Sequence, residues 1–189
     1  RLRAGLPENI ILAIDGAYTE YSTKEDYTDG SELVAGSENT VILRTFSKIY
    51  GLPSIRIGWM YAPASICDVI NRIRGPFNVS TPAIMAAAAA VRDTEFTKNA
   101  KEFNNKWLAW MDTELKKLGL KPYPSIGNFL LVQFPSGKHS SSNANAYLME
   151  RGLIVREVAN YGLPDCLRIT IGLEEDNRAM ISTLKEFLQ

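Results

Sequence analysis

Two strand-length apolar runs, and the lysine-bearing turn that follows the second, limit what this chain can fold into. Residues 10–15, IILAID, are continuously apolar and close on a carboxylate. Such a run without polar alternation is the pattern of a strand buried on both faces of a parallel sheet. In open α/β sheets ligands bind beyond the carboxyl ends of the strands, which makes Asp15 a candidate site residue. An Asp that simply closes a turn before Gly16 is the competing local reading.

The second run belongs to the stretch 40–63, TVILRTFSKIYGLPSIRIGWMYAP. Strands are expected over 41–45 and 56–61, around a turn-prone segment with Ser47, Lys48, Gly51 and Pro53. A lysine there projects from a rigid scaffold into a cleft, a plausible setting for a reactive amine. Arg56 is expected to begin the second strand. Its guanidinium is always charged and grips an anion through two parallel hydrogen bonds. Lysine as nucleophile and arginine as anion clamp suit a phosphorylated carbonyl cofactor; two unrelated surface charges are the plain alternative.

Bulk properties narrow the function classes. The 189 residues are enough for a sizeable core but short for two complete domains. Lys+Arg and Asp+Glu are both 21, so net charge is zero, and no basic stripe with interleaved aromatics points to nucleic acid. Cys67 and Cys166 lie far apart without metal-ligand spacing, and His139 is the single histidine. A disulfide framework or zinc site is therefore not expected, and a reducing compartment fits. No apolar run reaches membrane-spanning length, and the first residues do not read as a signal peptide. The expectation is a soluble cytoplasmic protein.

Residues 1–9 read as a helix end followed by a Gly and Pro break, as if the chain began inside a larger domain. Residues 20–39 are polar and read as a surface loop or short helix. A helix is expected from Pro63 to Arg74, with Ile66, Val69, Ile70 and Ile73 on one face. Thr81 as N-cap and Pro82 at the first position open the next, which carries the alanine run 86–90. Beyond Arg92 the spacing of Phe96, Ala100, Phe103, Trp107, Met111, Leu115 and Leu118 marks one face of a long helix ending at Gly119. These aromatics are read as core.

The remainder reads as a small α+β unit of three strands, at 127–134, 153–158 and 166–171, and two helices, at 143–151 and 174–188. The last helix is expected to bury Met180, Ile181, Leu184, Phe187 and Leu188. Arg156 and Arg168 stand out because each sits in an apolar strand. A buried guanidinium needs an anionic partner, whereas period-2 alternation equally allows both to face solvent.

Several segments resemble the pyridoxal-phosphate-dependent aminotransferases of fold type I, and within them the histidinol-phosphate branch. They are IDGAYTEY at 14–21, TFSKIYGLPSIRIGW at 45–59, GPFNVS at 75–80, GNFLLVQF at 127–134, and the pair LIVREVANYGLP and LRITIG within 153–172. The resemblance implies an α/β fold: part of a large, mostly parallel sheet domain over 1–92, then a connecting long helix and small domain over 93–189. It implies pyridoxal 5'-phosphate as cofactor, with Lys48 as the lysine that bonds to it and shuttles a proton. Asp15 would pair with the pyridine nitrogen and Tyr18 with the phenolate oxygen. Ser47 and Arg56, with Thr45 beside them, would bind the phosphate. Arg168 would clamp the substrate α-carboxylate and Arg156 the phosphate of histidinol phosphate.

The implied reaction exchanges amino groups between histidinol phosphate and 2-oxoglutarate, giving glutamate, in histidine biosynthesis. The implied assembly is a homodimer. A complete member of this family is about twice as long, and the family's N-terminal portion, with further cofactor contacts, is missing here. A polypeptide of these residues alone is expected to bind cofactor weakly and turn over slowly. Two other readings stay open: an aromatic amino-acid aminotransferase or phosphothreonine decarboxylase with the same chemistry, and a non-catalytic fragment that dimerises or binds a partner through its exposed surface.

Overall fold

The computed structural model describes residues 1–189, and the chain divides into two compact units, Arg1–Ala100 and Lys101–Gln189. In the first, β1 (Leu12–Asp15), β2 (Thr40–Thr45) and β3 (Gly58–Tyr61) form a sheet in that order. Strands β1 and β2 are parallel, with Leu12 opposite Thr40 and Asp15 opposite Leu43; β3 returns antiparallel, with Thr45 opposite Gly58. The parallel step needs a crossover, supplied by residues 16–39 with a 3-10 turn at Thr19–Tyr21 and a short helix α2 (Ser31–Ala35), α1 being Leu2–Gly5. Tyr21 and Val34 of the crossover are buried with Val41 and Ile42 of β2.

The sheet departs from the expected pattern in one respect. Strand β1 is half-buried at Leu12 and Ile14 but exposed at Ala13 and Asp15. It is an edge strand, and only one of its faces is covered within the chain. Ile10 and Ile11, expected to open the strand, precede it and are exposed.

Three helices follow: α3 (Ala64–Ile73), α4 (Thr81–Arg92) and α5 (Thr94–Lys117). Helix α3 has the expected amphipathic order, yet Val69, Ile70 and Ile73 are exposed. The cap of α4 is Ser80, one residue earlier than expected. Its hydroxyl accepts from the Ala83 N–H, so Thr81 and Pro82 lie inside the first turn, where proline's missing N–H costs nothing. Phe96 and Phe103 at the start of α5 are exposed, whereas Trp107, Met111 and Leu115 are core; the helix ends before Gly119, whose φ of 79° closes the last turn.

The second unit is an antiparallel sheet, β4 (Lys121–Pro122), β5 (Phe129–Gln133), β6 (Arg156–Glu157) and β7 (Cys166–Thr170), in the order β4-β5-β7-β6. It has one strand more than expected, and β6 shrinks to two residues because 153–155 makes no ladder. Strand β5 alternates cleanly, Leu130 and Val132 pointing into the core. Helices α6 (Ser141–Met149) and α7 (Glu174–Phe187) join α5 around it, so that Met111, Leu115, Leu130, Leu148, Leu167, Ile169 and Leu184 form one cluster. Ile181, Phe187 and Leu188 of the last helix pack at its margin. His139, in the 3-10 turn Gly137–His139, is half-buried with its ring edge-on to Phe187 at 5.4 Å.

Two substitutions test this packing. Leu184→Ala removes a side chain with no exposure and is expected to cost the second unit about 2–5 kcal/mol. Ile154→Ala, at a side chain 76% exposed, is expected to change stability by less than about 0.5 kcal/mol. Urea titration followed by tryptophan fluorescence checks both, and equal losses would overturn the core assignment.

Candidate functional site

Parallel pairing brings the carboxyl ends of β1 and β2 to the same edge of the sheet, and the candidate residues of the first unit gather there. Asp15 ends β1, and its carboxylate accepts from the Ala17 N–H at 3.0 Å. The Gly16 N–H donates to the Leu43 carbonyl at 2.9 Å, carrying the ladder one step further before the chain turns. Tyr18 follows on that turn.

Strand β2 ends in a tight turn with an inside and an outside. Phe46 and Ile49 are buried anchors, and the Phe46 ring packs tilted against Tyr50 with centres 4.9 Å apart. Ser47 and Lys48, between those anchors, are half-buried and turned away from the core. The turn is closed by the Gly51 N–H on the Lys48 carbonyl at 2.9 Å and the Leu52 N–H on the Phe46 carbonyl at 3.0 Å. Gly51 has φ of 68°, a conformation other residues adopt only with strain. The Lys48 ammonium lies over the Tyr18 ring, 5.3 Å from its centre. The amine from the β2 turn and the phenol from the β1 turn therefore meet, as a cation on an aromatic face.

Arg56 does not begin β3. It lies two residues before the strand, after the 3-10 turn Pro53–Ile55, in the left-handed region with φ of 57°. An arginine there is strained, and strain of this kind gathers at functional sites. One guanidinium nitrogen donates to the Pro53 carbonyl at 2.6 Å and to the Ser47 hydroxyl at 3.4 Å. Thr45 accepts from the Ser47 N–H at 3.0 Å through its hydroxyl, fixing the serine backbone. Ser47, Arg56 and Thr45 are thus brought together, with a hydroxyl and an exposed cation available to one anion. These donors, with an amine, a carboxylate and a phenol close by, chemically fit a phosphorylated pyridine aldehyde.

Arg156 and Arg168 belong to the second unit, where they lie directly opposite each other on β6 and β7. Side chains in register on adjacent strands share a face, and like charges so placed repel. Arg156 is exposed and donates to the Tyr161 hydroxyl at 3.1 Å. Arg168 is half-buried with its guanidinium 5.1 Å from the centre of the Phe129 ring, and its Nε is buried without a partner. Two cations on one face, one with an unsatisfied donor, fit an anionic ligand.

Sequence reasoning missed Arg44. It sits in β2 among apolar residues and offers no local signal, yet its side chain is only 10% exposed. One nitrogen holds Glu20 at 3.1 Å, another Asp29 at 2.8 Å, and the guanidinium lies 5.7 Å from the Trp59 ring centre. Burial, reinforced by the Tyr18 and Glu20 charges, pushes the Tyr21 hydroxyl up, and burial with Glu20 does the same to Tyr50. The Asp29 carboxyl is held below its ordinary value, first by the Ser31 backbone N–H and hydroxyl and then by Arg44. A carboxyl lowered in the folded state stabilises it above the ordinary value of 3.8, and that contribution is lost as pH falls through the lower folded value. Amide exchange at Ser31 is expected to accelerate over that acidic window, and Asp29→Asn is expected to flatten the dependence. An unchanged profile in Asp29→Asn would remove this carboxyl from the crossover's acid sensitivity.

Comparison with known proteins sets these residues in a family. The chain is 52% identical over its whole length to the histidinol-phosphate aminotransferase of Nitrobacter winogradskyi, and 51% identical to that of Rhodopseudomonas palustris strain BisB18. It covers 52% of each, so the chain spans about half the length of the curated relatives it matches. Among solved structures it is similar to the histidinol-phosphate aminotransferase of Sinorhizobium meliloti in complex with pyridoxal-5'-phosphate. There the TM-score is 0.88 and identity 28%, with 98% of this chain and 51% of that chain covered. The L-threonine-O-3-phosphate decarboxylase of Porphyromonas gingivalis, at 24% identity and a TM-score of 0.81 over 95% of this chain and 56% of its own, shares the fold. Residues 4–184 match the family model described as aminotransferase class I and II, and the chain belongs to that family.

Proposed function

We propose that this chain supplies the reactive lysine and the anion-binding arginines of a pyridoxal-phosphate-dependent histidinol-phosphate aminotransferase. The observation that carries the reading is the meeting of Lys48 with Tyr18, beside Asp15 and the Ser47–Arg56 pair, at the carboxyl edge of the β1–β2 sheet. The relatives' names support the substrate, and the Sinorhizobium meliloti complex supports the cofactor.

Bound pyridoxal phosphate supplies a carbonyl that captures an amine and a ring that withdraws electrons from it. Lys48 Nζ would hold the cofactor covalently between turnovers and, once displaced by the substrate amine, would carry the proton from the substrate Cα to the cofactor carbon that bore the carbonyl. The Asp15 carboxylate holds a proton on the ring nitrogen, because its charge favours the pyridinium form. Tyr18 donates to the phenolate oxygen, and Ser47 with Arg56 binds the phosphate, Thr45 orienting the serine. Arg168 takes the α-carboxylate of glutamate, and Arg156 the phosphate of histidinol phosphate. In this reading residues 1–92 form part of the cofactor-binding domain and 93–189 the connecting helix and small domain. The working enzyme is a homodimer in the cytoplasm. No helix is long and apolar enough to cross a membrane.

Pyridoxal phosphate added to the chain is expected to give a visible absorbance band, and borohydride an adduct on the Lys48 peptide; Lys48→Ala is expected to give neither. No adduct at Lys48, in this chain or in one carrying the rest of the relatives' length, would sink the reading. In the longer chain, Arg156→Ala is expected to cut turnover of histidinol phosphate at least about 100-fold, while phenylalanine turnover falls only a few-fold. Equal losses on both substrates would count against the phosphate assignment.

A further inference from the structure

Residues 16–20 wrap around the side chain of Arg44. A Cβ added at Gly16 would stand 2.9 Å from Arg44 Cδ, so the turn runs directly over the arginine's stem. Four residues on, Glu20 grips the head of the same side chain at 3.1 Å. Tyr18 sits between these two fixed points. The other guanidinium arm reaches Asp29, whose second oxygen accepts from the Ser31 N–H at 3.0 Å at the start of α2. One buried cation thus ties the start and the middle of the crossover to β2, the strand that leads into Lys48.

The energetics indicate a purpose beyond simple stability. Bringing the Arg44 guanidinium out of water is expensive even against two part-exposed carboxylates, and an apolar residue at this place in β2 would avoid that cost. The Arg44 Nε is moreover buried without a partner. What the arrangement secures is direction, since two charge-assisted bonds from one planar group leave the crossover little freedom to shift.

We propose that Arg44 is a positioning residue for the site: itself held by Asp29, it fixes the 16–20 turn through Glu20 so that the Tyr18 ring stays against the Lys48 amine. The inference rests on the proposed function for its relevance to cofactor binding, and on the geometry of this chain alone for the placement of Tyr18. Arg44 reaches the turn through its ion pair with Glu20.

The test uses two readouts. In the chain labelled with 3-fluorotyrosine, the eight tyrosines give separate fluorine resonances, and Tyr18→Phe identifies the one from Tyr18. Arg44→Met and Glu20→Gln are expected to shift the Tyr18 resonance, while those of Tyr123, Tyr147 and Tyr161 in the second unit stay in place. Arg44→Lys, which keeps the charge but not the fork, is expected to give an intermediate shift. A Tyr18 resonance unmoved in folded Glu20→Gln would overturn the inference, and this milder variant decides the matter if Arg44→Met fails to fold. In the second readout, Glu20→Gln is expected to weaken pyridoxal phosphate binding, followed by the visible band, about tenfold. In a Tyr18→Phe background the same change is expected to cost less than about twofold. Equal losses in both backgrounds would show that the ion pair acts on the site by some route other than Tyr18, and would also overturn it. Absence of the band both in the unsubstituted chain and in one carrying the rest of the relatives' length would speak against the proposed function, and the fluorine spectra would still decide the placement of Tyr18.

Discussion

The parallel pairing of β1 on β2 is the constraint on which the first unit depends. Antiparallel neighbours would send Asp15 and Lys48 to opposite edges of the sheet. Parallel neighbours end on the same edge, and the cost is a crossover of more than twenty residues that must be held down without a long helix of its own. Tyr21 and Val34 hold it through burial, and Arg44 holds it through charge. The amine that meets Tyr18 is therefore a consequence of topology first and of side-chain identity second.

The turn after β2 shows how a short sequence fixes a side chain's direction. Phe46 and Ile49 are buried and leave Ser47 and Lys48 no way to point inward. Gly51 closes the turn with a positive φ, and Gly58 lets β3 come back so closely that a Cβ there would stand 2.5 Å from the Arg44 carbonyl oxygen. Between those glycines the backbone folds into the left-handed kink at Arg56. Its strain is offset by the guanidinium's bonds to the Pro53 carbonyl and the Ser47 hydroxyl, which also aim it.

Much of this was legible in the sequence because local signals agreed with the fold. The apolar runs located β1 and β2, the glycine and proline positions located the turn, and helical spacing located the core face of α5 from Trp107 onward, though not at Phe96 and Phe103. The misreadings have physical causes. Arg56 lies between Ile55 and Ile57, so β-branched neighbours favoured a strand, while the nearby Pro53 and Gly58 governed the backbone. The burial expected on both faces of β1 assumed layers that this chain does not place over Ala13 and Asp15. Arg44 was invisible because its partners, Glu20 and Asp29, are brought to it by the crossover, and no local pattern announces a contact of that range.

The two arginines of the second unit show why register carries more than composition. Each, taken alone, sits in an apolar strand and reads equally as a buried ligand-binding group or a solvent-facing charge. The β6–β7 ladder sets them opposite each other, a cross-strand pairing that costs stability unless something negative lies between or beside them. Arg156 has relief from solvent and from the Tyr161 hydroxyl. Arg168 has the face of Phe129 for its charge but nothing for its Nε. Leu167 and Ile169 on either side point into the core, which leaves Arg168 on the other face of β7. There it stands opposite Arg156, and an anion bound between the two would relieve both their repulsion and the unpaired Nε.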